Sequence, residues 1–190
     1  MKLHYKGKFD LNPESLPCLS HETGAVPFKE AADSKQLGLI ANGLALGIYI
    51  LLIPTVFLRM GLFAAGLGFL PGTVLSLLIL FPHELLHAVC FKEDVYLYTN
   101  LKQGMLFVVG PERMSRARFV FMSLLPNLVF GFLPYVLGMA LCLPVPACFG
   151  ALCIGMGAGD YYNVFNALTQ MPKGARTYLH GFHSYWYMPQ

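Results

Sequence analysis

The sequence predicts an all-α membrane protein with about four transmembrane helices and a short β-hairpin in the cytoplasmic loop. Three observations predict it. The first is composition: 56% of residues are hydrophobic and 12% charged, where soluble domains carry about 25% charged residues. The second is length. Apolar runs lie at about 37–57, 62–91, 117–141 and 147–168, each near or above the ~20 residues that a crossing needs. The third is the placement of Lys and Arg. The N-terminal arm has Lys2, Lys6, Lys8, Lys29 and Lys35, and the first turn only Arg59. The polar loop has Lys92, Lys102, Arg113, Arg116 and Arg118, the second turn has none, and the tail has Lys173 and Arg176. Cytoplasmic loops hold the excess of positive charge, so a multi-pass protein of the cell membrane is expected, with both termini cytoplasmic. The net charge of +3 is small. It reports topology and gives no sign of a nucleic-acid partner.

Each element has its own local reason. Residues 1–36 are polar and basic, with Pro13, Pro17 and Pro27, and read as a cytoplasmic arm with one short helix near Lys29–Gln36. Residues 37–190 then form the membrane domain. The second run exceeds one crossing and is interrupted by Leu70-Pro71-Gly72, so its span is expected from about Thr73 to Cys90. Pro82 sits inside it and predicts a kink, because proline removes a backbone bond and crowds the preceding turn. Residues 95–109 hold two β-prone stretches around Asn100-Leu101-Lys102-Gln103-Gly104, which predicts a hairpin. Leu143-Pro144-Val145-Pro146 reads as a tight turn between the last two spans. The tail ends in Tyr185-Trp186-Tyr187, aromatics that suit a membrane interface. The five cysteines show no C-x-x-C spacing and are read as reduced.

The chemistry concentrates in His83-Glu84-Leu85-Leu86-His87, an H-E-x-x-H pattern near the cytoplasmic end of the second span. Residues four apart share a helix face, so His83 and His87 can close on one metal ion. Glu84 stands beside them as a general base. Cys90 follows at i+7, about 10.5 Å along the axis from His83, too far for the same ion.

A third ligand is needed, and Asp160 leads. It stands inside the fourth span, where an ionised carboxylate costs about 2.5–3.5 kcal/mol unless partnered. It lies about nine residues before the end of its span, and His83 a similar distance before Lys92. Both are then roughly 13–15 Å deep. Glu112 is a rival, as are His180 and His183, which pair on one face if the tail is helical. Asn163, one turn beyond Asp160, could support it. Asn127 could bond a substrate or a neighbouring helix.

The H-E-x-x-H at a span's cytoplasmic end, with Gly159-Asp160 in a later span, resembles the small multi-span proteins known as putative zincin peptidases. More distantly it is similar to site-2-type intramembrane metalloproteases. The resemblance covers roughly Leu37 to Tyr187. It implies His83, His87 and Asp160 as ligands of Zn2+ and Glu84 as catalytic acid/base. The site-2 pattern also carries an Asn-Pro pair before its Asp; here Pro126-Asn127 is reversed and sits in the preceding span. The expected activity is zinc-dependent hydrolysis of a membrane-associated protein or peptide near the cytoplasmic face. A non-catalytic membrane scaffold that binds a partner protein is the alternative. A small transporter fits poorly, since no inverted repeat is visible.

Overall fold

In a computed structural model of the chain, every residue is described except Leu101, Gln103, Gly104, Phe182 and Gln190, and Ser34 is described by its backbone alone. The helices are α1 (Ser34–Met60), α2 (Leu62–Leu78), α3 (Leu80–Ala88), α4 (Arg116–Pro126), α5 (Leu133–Leu141), α6 (Pro144–Met156) and α7 (Ala158–Gln170). A π-helical stretch, Asn127–Phe132, joins α4 to α5. The strands are β1 (Leu3–Lys8), β2 (Val26–Pro27), β3 (Val95–Asn100), β4 (Met105–Val109), β5 (Met114–Ser115), β6 (Arg176–His180) and β7 (His183–Tyr187). The chain divides into two compact units: Ala31–His83 with Leu124–Tyr162, and Met1–Glu30 with Glu84–Ser123 and Asn163–Gln190.

The first unit is helical. Asp33 caps α1 by accepting the Gln36 N–H at 2.7 Å, and Gly61 ends it at φ +81°. α6 packs against α1, α2 and α5. The approach is close because glycines line it: a Cβ at Gly150 would lie 2.3 Å from the backbone nitrogen of Tyr135. Small residues of this kind let membrane helices meet backbone to backbone. Val56, Ala65, Ala147, Cys148 and Ala151 form the buried core.

Two expectations about the spans are corrected here. α2 runs unbroken through Pro71, so the interruption expected at residues 70–72 is absent. The break comes at Ile79, where α2 and α3 bend by 44°. Pro82 accounts for it: its ring crowds the carbonyl four residues back, which belongs to Leu78, the last residue of α2. The run read as a fourth span is two helices, α6 and α7, parted at Gly157. Pro144 opens α6, so it belongs to a helix and not to the preceding turn. Among the described residues, Lys35–Met60 and Arg116–Leu141 are long and apolar enough to cross a membrane, and the bent α2–α3 pair makes a third if it counts as one span.

The second unit overturns the all-α expectation. Among the described residues it holds two sheets, one ordered β1-β3-β4 and one β2-β7-β6-β5. The hairpin at 95–109 is present, with Leu97 opposite Val108 and Asn100 opposite Met105; Leu101, Gln103 and Gly104 of its turn lie outside the described residues. The N-terminal arm is not merely polar coil. β1 pairs in parallel with β3, and Phe9 is buried against Tyr98 and Val109. The helix expected near Lys29–Gln36 is the start of α1, which begins at Ser34. The tail folds as a second hairpin, β6–β7, with His180 opposite His183. All five cysteines are free.

Candidate metal centre

Helix α3 presents the H-E-x-x-H residues on one turn. The ligand atoms of His83, Glu84 and His87 all lie within 4.8 Å of one another. His87 is buried and the other two are half-buried. Nδ1 of His87 lies 2.9 Å from the Met122 carbonyl oxygen. A carbonyl only accepts, so Nδ1 carries the proton and Nε2 keeps its lone pair for a metal. Metal-ligating histidines commonly have such an outer partner.

Asp160 sits in the first turn of α7. This differs from the mid-span position read from the sequence. A helix N-terminus favours a negative charge, which reduces the cost of an ionised carboxylate there. Its Oδ2 lies 3.2 Å from Nε2 of His83, and both side chains are less than one-fifth exposed. Two ligands about 2.05 Å from one tetrahedral ion stand about 3.3 Å apart. The pair therefore has the spacing that a shared ion requires. Imidazole and carboxylate are the donor types of catalytic zinc sites. His83 and Asp160 supply one of each at this spacing, and His83, Glu84 and His87 gather two imidazoles and a carboxylate on one helix, so the donor chemistry fits Zn2+.

Two further groups contact this set. Oε2 of Glu84 accepts the Val108 N–H at 3.0 Å, which ties the glutamate to β4, an outer strand of its sheet. Asn127 is 1% exposed, and its Nδ2 donates to Oδ2 of Asp160 at 2.7 Å. Asn163, expected beside Asp160, is exposed; Asn127 takes that place. A polar residue following a proline inside an apolar run was the available signal. Its partner, 33 residues further on, was not readable.

The rival ligands are engaged elsewhere. Glu112 is buried and accepts the Lys92 N–H at 2.6 Å and the Glu93 N–H at 3.1 Å. It also pairs with the Arg118 guanidinium, which in turn donates to the Cys90 carbonyl just beyond α3. Burial pushes the Glu112 carboxyl up, but the Arg118 bond and the two N–H groups outweigh it and hold the carboxyl below its usual range. A lowered folded pKa gives stability that is full above the unfolded value, near 4.5, and lost as pH falls through the folded one. Glu112→Gln is expected to cost about 1.5–3 kcal/mol at neutral pH. The difference from wild type should shrink as pH falls from the unfolded value, near 4.5, through the lower folded one, as thermal melts at several pH values would read. His180 bonds the Leu19 carbonyl through Nδ1 at 2.9 Å, and His183 faces Glu30. Both lie on strands, so the helical pairing expected of them is not present.

An H-E-x-x-H helix, with an aspartate at ligand spacing from its first imidazole, defines a protein of the zincin class. The chain belongs to the family described as "Putative zincin peptidase", which it matches over residues 76–176, a stretch that includes His83, Glu84, His87, Asn127 and Asp160. No curated protein and no solved structure matches it.

Proposed function

We propose that the protein is a membrane-embedded zinc peptidase. It hydrolyses a peptide bond of a membrane-associated protein or peptide near the cytoplasmic face. The observation that carries this reading is the 3.2 Å separation of His83 Nε2 and Asp160 Oδ2 beside the H-E-x-x-H turn. His83, His87 and Asp160 would hold the ion, and zinc bound there would supply Lewis acidity for the scissile carbonyl and the attacking water. Glu84 takes the proton from the attacking water and passes it to the leaving amine.

Strand β4 supports a place for the substrate. Its Val108 N–H faces Glu84, and an extended peptide pairing with this edge would run past the catalytic base. Main-chain pairing of this kind gives affinity with little sequence demand. The alternation of Lys and Arg favours four crossings with both termini in the cytoplasm, of which the apolar helices supply two, or three if α2 and α3 form one bent span.

The test compares membranes that carry the protein with membranes that lack it. New protein N-termini are mapped with and without a zinc chelator. Protein-dependent termini that vanish on chelation and return with Zn2+ are the expected result. An identical set of termini in every sample would favour the scaffold reading instead.

A further inference from the structure

We infer that Asn127 is a positioning residue for the metal ligand Asp160, and that Tyr161 and Gly157 exist in this fold to hold it; this rests on the peptidase reading above. The choice of oxygen is the first ground. Asn127 Nδ2 donates at 2.7 Å to Oδ2 of Asp160, the same oxygen that stands 3.2 Å from His83 Nε2. A carboxylate has two oxygens, and a bond made only to satisfy a buried amide could use either. This one restrains the oxygen at ligand distance from the imidazole.

The amide's orientation is fixed from its other end. The Tyr161 hydroxyl donates to Oδ1 of Asn127 at 3.2 Å. Oδ1 can only accept, so the phenol keeps the NH2 turned toward the carboxylate. Tyr161 directly follows Asp160, so ligand and orienting group ride on the same helical turn.

The backbone makes room for this. Asn127 opens the π-helical stretch, and such stretches re-aim side chains, often at functional sites. At Gly157, where α6 gives way to α7, a Cβ would lie 1.7 Å from Asn127 Oδ1 and 2.4 Å from Cγ. The amide therefore occupies the volume that any larger residue at 157 would need. Glycine at this junction, three residues before Asp160, keeps the pocket open.

The test measures metal binding and not turnover. Apparent zinc affinity is read by competition with a chromophoric chelator, and ligand geometry by the visible absorption of the Co2+-loaded protein. Asn127→Asp keeps the shape but replaces the donor with a like charge facing Asp160. Asn127→Ala removes the amide altogether. Each is expected to weaken zinc binding by about 10–100-fold, the usual scale for an outer-shell partner, and to shift the cobalt bands. Tyr161→Phe should move both readouts the same way by a smaller factor. It also decides the matter if the Asn127 variants fail to fold. Zinc affinity and a cobalt spectrum unchanged from wild type, in folded Asn127 variants or in Tyr161→Phe, would overturn the positioning role and leave the peptidase reading intact. Wild-type protein that binds no metal would overturn the peptidase reading and this role together.

Discussion

Glu84→Gln is expected to abolish peptide hydrolysis while the metal stays bound. Glu84 lies on the same helical turn as His83 and His87, with its carboxylate among their ligand atoms. In the proposed reaction it accepts a proton from water and later donates it to the departing amine. A glutamine has the same shape and can still accept the Val108 N–H that Glu84 accepts at 3.0 Å. It cannot take up a proton at neutral pH. General acid–base catalysis contributes about 10²–10⁴-fold, so turnover should fall by at least that range. The measurement is the yield of chelator-sensitive new N-termini, alongside zinc content. Full cleavage by Glu84→Gln would remove the glutamate from the mechanism. Loss of zinc in this variant would instead make Glu84 a ligand.

Asp160→Asn should empty the metal site without unfolding the protein. Asparagine matches aspartate in shape, and losing the charge in the first turn of α7 costs only about 0.3–1 kcal/mol. The variant therefore keeps the helix start. What it loses is the anionic oxygen that lies 3.2 Å from His83 Nε2 and accepts from Asn127. Removing a ligand should cost more than the ~10–100-fold that an outer partner costs. After dialysis against a chelator, wild type should retain zinc and Asp160→Asn should not. Equal retention would place the third ligand elsewhere. Glu112 is the poorest replacement, because Arg118 and two backbone N–H groups already engage it.

The H-E-x-x-H turn was legible because it needs only sequence spacing and a helix. Asp160 was legible as a charge in an apolar run that had to find a partner. The hairpin at 95–109 was legible because both strands and the turn are local. The sheets to which it contributes were not. β1 meets β3 some ninety residues away, and β2 meets β7 across about 160; neither short strand has a periodic pattern of its own. The tail hairpin did leave a local signal, two aromatic-rich runs flanking Gly181 at φ +62°, but it reads equally well as an interfacial aromatic patch. The broken fourth run was hidden for a related reason. Gly157 looks like one more small residue in Gly155-Met156-Gly157-Ala158-Gly159, and only its contact with Asn127 shows why no side chain fits at that break.

The ligand set itself is tested most directly by zinc K-edge X-ray absorption on the purified wild-type protein. Two imidazoles with nitrogens at about 2.0–2.1 Å and carboxylate oxygen at about 2.0–2.2 Å are expected. A zinc shell with sulfur in it, with fewer than two imidazoles, or unchanged in Asp160→Asn would contradict the site.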